Sequence, residues 1–160
     1  MDEFTLKRAE KFMNSGMAAV SRGEVQVARD SFRASAHVLA TAEALTFWGW
    51  MEHHLGNTQQ AIELCKSAIE IDPDFGNPYN DIGSYLVSLG NLDEAVPWLE
   101  KAIKASRYEP RHYPHLNLGR IYFSKKSLLL ALEHFKKAQE FVPENLEIHQ
   151  MIEEINQSIN

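Results

Sequence analysis

The 160-residue chain carries 16 Lys and Arg against 22 Asp and Glu, a formal net charge of −6, and 44% of its residues are apolar. That balance supports one structural domain with a continuous core, and it excludes a polybasic nucleic-acid binder and, with one cysteine, a disulfide scaffold. No run of about eighteen apolar residues offers a membrane span, and the charged start MDEFTLKRAEKF lacks the apolar centre of a signal peptide, so a cytoplasmic location is expected.

Apolar residues recur at helical spacing in pairs of short stretches separated by tight turns. The first pair covers about 4–41: Phe4, Phe12, Gly16 and Ala19 mark the inner stripe of one helix, and Ala28, Phe32 and Ser35 that of the next. The second covers 42–75, with AEALTFWGWMEHHLG followed by QQAIELCKSAIEI. Cys65 stands in the slot that Phe32 and Phe135 hold elsewhere, which predicts a buried filler rather than a reactive thiol. The third covers 76–110 and enters through Asn77-Pro78, a capping residue before a proline that suits the first helical turn. Pro97 is expected to bend the second helix of this pair slightly.

Between the third and fourth pairs, SRYEPRHYP adds about two residues and two prolines. It reads as a tolerated insertion on the edge of the array or as a recognition loop from Ser106 to Pro114. The fourth pair covers 111–145. Residues 146–160 form a last helix in which Leu146, Ile148, Met151, Ile152, Ile155 and Ile159 dock, while Glu147, Glu153, Glu154 and Asn156 face water. Nine helices are predicted.

Three registers move together along the chain. Small residues fall at Gly16, Gly49, Gly83 and Gly119. Turns fall at Gly23-Glu24, Gly56-Asn57, Gly90-Asn91 and Lys126-Ser127, and a second small residue falls at Ala28, Ala61, Ala95 and Ala131. The steps of about 33, 34 and 36 residues are those of a helix–turn–helix array. With Tyr79, Ile82, Gly83 and Leu86, then Leu118, Gly119 and Tyr122, then Ala131, Phe135 and Ala138, and closing Pro73 and Pro143, the sequence resembles the tetratricopeptide repeat (TPR) family over nearly its whole length. The resemblance implies an all-α, right-handed solenoid of four units with a C-terminal capping helix, whose concave face binds an extended or helical peptide.

Catalytic patterns are absent: no phosphate loop, no nucleophile elbow, no His-Glu-x-x-His and no paired cysteines. His53 and His54 diverge by about 100° on a helix, and His112 and His115 have no second pair to complete a metal site. No cofactor, metal or catalytic residue is expected. The groove is the better candidate. The non-core faces of the first helices supply Met13, Met17 and Val20, then Thr46, Trp50 and His53, then Asn80, Ser84 and Val87. The fourth unit adds Tyr113, Leu116, Arg120 and Phe123, with Gln150 beyond it. Aromatic, Met and Arg side chains with little Lys or Glu resemble an interface core, with Trp50 and Arg120 as anchors.

TPR co-chaperones that grip the terminal carboxylates of heat-shock chaperones carry a Lys/Asn clamp on these faces. The matching slots here hold Met13, Met17, Phe47, Asn77 and Asp81, or, one unit on, Asn80, Ser84, Asn117, Glu147 and Met151, without the cations. Such carboxylate-clamp binding is not expected. Charge falls in blocks along the chain, near neutral to His37, acidic from Val38 to Glu100, basic from Lys101 to Lys137 and acidic after Ala138. These blocks read as solvated helix faces, or as bands that steer a partner or a second copy. The leading function is a non-enzymatic interaction scaffold or adaptor. The alternatives are a dedicated chaperone, since EPRHYPH resembles the corresponding turn of TPR-class type III secretion chaperones, and a self-assembling structural protein.

Overall fold

The computed structural model describes residues 1–159, and its regular structure is entirely helical. Among the described residues nine helices follow one another: α1 (Glu3–Ser21), α2 (Val25–Val38), α3 (Ala42–His54), α4 (Thr58–Ile71), α5 (Asn77–Ser88), α6 (Leu92–Lys104), α7 (His112–Ser124), α8 (Leu128–Phe141) and α9 (Leu146–Ile159). Side chains cap α1, α3 and α9, the last through Asn145 Oδ1 accepting from the amide of Ile148 at 3.1 Å, whereas α5 has Gly76 and not the expected Asn77 at its N-cap. Asp2 accepts from the amide of Thr5 at 2.7 Å, and Thr41 Oγ1 accepts from that of Ala44 at 3.1 Å. They pair as α1/α2, α3/α4, α5/α6 and α7/α8, with α9 closing the array against α8.

The four turns inside the pairs share one bond. An amide donates to a carbonyl five residues earlier, from Glu24 to Ala19, Asn57 to Glu52, Asn91 to Leu86 and Ser127 to Tyr122, at 2.8–3.0 Å. That closure needs a left-handed residue just before the donor. Gly23, Gly56 and Gly90 provide it with φ of 73°, 89° and 81°, but the fourth turn uses Lys126 at φ 58°.

Close approach within each pair explains the repeated small residues. A Cβ at Gly83 would lie 2.5 Å from Leu99, and one at Gly119 would lie 2.8 Å from the Phe135 ring. Ala28, Ala61, Ala95 and Ala131 are all fully buried on the facing helix. The core then runs along the array. Ala61, Cys65, Ile82, Leu99 and Leu118 share one cluster that spans α4 to α7, and Leu116, Phe135, Ile148 and Ile155 share another that seats α9. Cys65 is buried as the sequence implied, and burial raises its thiol pKa well above the ordinary value.

Two expectations change, and one buried group is new. Phe4 is 75% exposed, at the rim of an open depression beside His37 and Val38 of α2, and Ala9 takes the buried place instead. Leu146 and Ile159 are exposed at the two ends of α9, so Ile148 and Ile155 carry the docking. Glu52 is a buried carboxylate that the sequence gave no reason to single out. It accepts from Trp48 Nε1 at 2.9 Å and Asn57 Nδ2 at 2.7 Å, with Arg29 at 3.5 Å, and these partners hold its pKa below the ordinary value despite burial.

His115 of α7 faces His134 of α8 with the two Nδ1 atoms 3.2 Å apart, so one ring donates and the other accepts while both are neutral. Tyr122 stacks on His134 at 5.5 Å. Desolvation, and then the neighbouring ring, pushes His115 down to about 4; desolvation also lowers His134. Below pH 6.5 the unfolded chain takes up protons that this folded pair refuses, so its contribution is lost as pH falls from about 6.5 towards 4.

Two stability measurements follow. Lys126→Gly relieves a left-handed side chain and should raise unfolding free energy by about 0.5–1 kcal/mol in a urea titration. The advantage of the native chain over His115→Asn should shrink by about 2 kcal/mol between pH 7.5 and pH 5, whereas a pH-independent difference would mean that His115 is not held neutral.

Candidate functional site

The first helices of successive pairs also touch one another, α3 against α5 and α5 against α7, and together they line one face of the array. On that face lies a cavity of about 550 Å³. Its walls come from Thr46, Phe47 and Trp50 of α3, from Asn77, Asn80, Asp81 and Ser84 of α5, and from Tyr113, Asn117 and Arg120 of α7. Phe75, Tyr108 and Pro110 enter from the turns.

Those turns are built on each other. The amide of Gly76 donates to the carbonyl of Arg107 at 2.9 Å, and that of Arg107 donates to Asp74 at 3.0 Å, a single parallel bridge between the α4–α5 and α6–α7 connections. Gly76 is required there, since a Cβ would sit 2.5 Å from Tyr108 Cβ. Tyr108, 4% exposed, packs with Tyr79, Ala102 and Ala105. The Arg107 guanidinium lies 4.4 Å over the Phe75 ring, bonds Glu43 at 2.8 Å and also reaches Asp72. Asn77 Nδ2 donates to the carbonyl of Glu109 at 3.2 Å. The longer Ser106–Pro114 turn is therefore a fixed end wall of the cavity.

Polar groups on the walls are mostly occupied. Thr46 Oγ1 donates to the carbonyl of Ala42 at 2.7 Å, Asn117 Nδ2 donates to Asn80 Oδ1 at 3.0 Å, and Arg120 pairs with Glu147 of α9. Asp81 differs. No cation pairs with it among the described residues, and desolvation raises its pKa to about 7, with a hydrogen bond from Asn80 opposing. Tyr85, one turn further along α5, has the one buried side-chain oxygen without a hydrogen-bond partner among the described residues.

Of the residues projected onto the groove, Thr46, Trp50, Asn80, Ser84, Tyr113 and Arg120 come together here. The others do not line this cavity. Leu116 is 4% exposed in the α7–α8–α9 core, since the α8 and α9 side chains close over it, so its assignment to the groove face is corrected. His53 stacks on Tyr85 at 4.4 Å and meets Thr58 at 3.1 Å, which turns it between α3, α4 and α5. Met13, Val87 and Phe123 pack against core clusters, and Met17 is exposed on α1 away from the cavity. Sequence reasoning missed Phe75, and it met Tyr108 and Pro110 only as part of the Ser106–Pro114 turn, read as a tolerated insertion or a recognition loop. It met Phe47, Asn77, Asp81 and Asn117 only as slots where a clamp was wanting.

Among the described residues no group of three or more His, Cys, Asp or Glu could hold a metal ion. No described helix is long and apolar enough to cross a membrane.

The tetratricopeptide repeat profile matches residues 13–74 and 80–145. BBSome complex member BBS4 of Bos taurus is 31% identical over 94 residues, which is 59% of this chain and 18% of that protein's length. PilF of Pseudomonas aeruginosa superposes with a TM-score of 0.89 at 18% identity, over 98% of this chain and 71% of PilF. The first TPR domain of Spaghetti (RPAP3), solved with the HSP90 peptide SRMEEVD, has a TM-score of 0.68 at 19% identity, over 74% of this chain and 94% of that domain.

The unpartnered acid has a measurable cost. A carboxyl whose folded pKa lies near 7 destabilises the fold when ionised, so its penalty grows as pH rises from about 4 to 7. This slope is opposite to that of the His115–His134 pair, and single variants separate the two. Asp81→Asn should be more stable than the native chain by about 2–4 kcal/mol at pH 8, with the gap narrowing towards pH 5 in parallel urea titrations. A constant gap would show that Asp81 is solvated and ionised throughout.

Proposed function

Because the chain belongs to the tetratricopeptide repeat family, we propose that it is a non-enzymatic scaffold or adaptor that holds a peptide segment of a partner protein in the groove of α3, α5 and α7. The observation that carries this reading is the aromatic lining of that groove. Trp50 and Phe47 are only half-buried, Tyr113 is 46% exposed, and they share the cavity with Phe75 and Tyr108. Large aromatic surface left on a concave face has a low entropic cost of ordering and a large area to bury, which suits it to anchor a ligand.

Thr46, Asn80, Ser84 and Arg120 would supply the polar contacts that fix the register of the segment. The neighbouring RPAP3 domain holds an acidic peptide, SRMEEVD. The groove here presents Asp81 and two asparagines from α5, and its Arg120 is already paired with Glu147, so a terminal-carboxylate ligand finds no free clamp. Three of the nine basic residues from Lys101 to Lys137 pair with acids of the neighbouring charge blocks: Arg107 with Glu43 and Asp72, Lys125 with Asp93 and Arg120 with Glu147.

Selection of displayed random peptides on the native chain tests the reading. Peptides enriched by the native chain should bind Tyr113→Ala and Trp50→Ala at least tenfold more weakly, about 1.4 kcal/mol or more, with helical circular dichroism unchanged. Equal binding by both folded variants would remove the groove from consideration.

A further inference from the structure

We propose that the floor of this groove is a socket for one lysine or arginine side chain of the bound segment, with Asp81 as its counter-ion and the aromatic walls as its sleeve. The inference rests on the groove reading above and specifies the chemistry of the occupant.

Three observations converge on a cation. Asp81 lies in a cavity whose other ionic group, Arg120, is neutralised by Glu147, so the lining keeps one uncompensated negative charge. Every other acidic side chain that a buried environment touches has found its donors. Glu52 has Trp48, Asn57 and Arg29, and Asp72 has Arg107. The same cavity is lined by rings from separate elements, Phe47 and Trp50 of α3, Tyr113 of α7 and Phe75 and Tyr108 of the turns, of which Phe47, Trp50 and Tyr113 keep accessible surface. Aromatic faces attract a desolvated ammonium or guanidinium through their quadrupoles, and a carboxylate behind them adds charge-assisted hydrogen bonds. An apolar ligand would use the rings but bury the carboxylate without a partner, and an acidic one would be repelled by it.

Size sets the source of the cation. A cavity of about 550 Å³ that continues along a three-helix face holds more than one Lys or Arg side chain. The neighbouring residues of a chain segment would cover the rings, which free ammonium ions or small amines would leave open.

Binding of this kind is linked to protons. The titratable groups that feel the charge of Asp81 are Cys65 of α4, Tyr85 of its own helix and Tyr108 of the α6–α7 turn, all with pKa values raised first by burial and so neutral near pH 7. His53 of α3 stacks on Tyr85 with its pKa lowered by desolvation, and Tyr113 and Arg120 of α7 line the same cavity. Asp81 is thus the group that changes charge between pH 8 and pH 6, and a bound cation would keep it ionised.

The experiment uses the peptides selected on the full native chain. The expected result is a Lys or Arg at a fixed spacing from an apolar residue, at least tenfold weaker binding to Asp81→Asn, partial recovery in Asp81→Glu, and affinity about tenfold lower at pH 6 than at pH 8 in the native chain alone. Peptides that depend on Trp50 and Tyr113 but are neutral or acidic, or that bind Asp81→Asn as well as the native chain, would overturn the socket and leave the groove reading intact. Failure to recover any peptide that depends on Trp50 or Tyr113 would overturn both.

Discussion

Close contact between two helix backbones underlies the rest of this molecule. Helices of 12 to 19 residues are marginal alone, so each must bury its stripe against a partner. Leu99 and Phe135 lie so near the backbones of Gly83 and Gly119 that a methyl group there would overlap them. The pairing fixes which side of each helix is spent on the core, and so which side is left for the groove. Trp50 and Tyr113 face the cavity because Gly49 and Gly119, next to them or a turn and a half on, are committed to α4 and α8.

Contact between loops sets the end of the groove. The bridge from Asp74 and Gly76 to Arg107 converts a longer connection into a wall, and Arg107 joins that wall to two acidic groups and an aromatic face at once. Exposed ion pairs of this sort are worth little singly. Their effect here is positional, because they hold Phe75 and Tyr108 where the cavity needs them.

Within this frame Asp81 is a local conflict. Its helix packs well, yet it carries a carboxyl into a desolvated place with no cation, while the buried carboxylate of Glu52 has three donors. Folding tolerates such a conflict where a ligand resolves it. The two elements with opposite proton linkage, the histidine pair in α7 and α8 and the acid in α5, belong to different tasks. One fastens a helix pair, and the other leaves a charge for a partner.

The sequence by itself determined the nine helices, their pairing and the register of the repeat, because those depend on spacing within about 36 residues and on small residues that only close packing explains. Of the fourteen groove positions it named, six line the cavity, those whose helix face follows directly from the stripe. It misplaced Leu116 because α9, folding back over α7 and α8, buries a face that two helices alone would leave open. It passed over Phe75, and could name Tyr108 only as part of the Ser106–Pro114 turn, because turn residues have no periodicity to read and the bridge that positions them joins segments some 32 residues apart. Only the tertiary structure decided that Glu52 would be satisfied and Asp81 would not. The number of donors around a carboxylate is a property of the neighbours that packing brings to it, and local sequence holds no count of them.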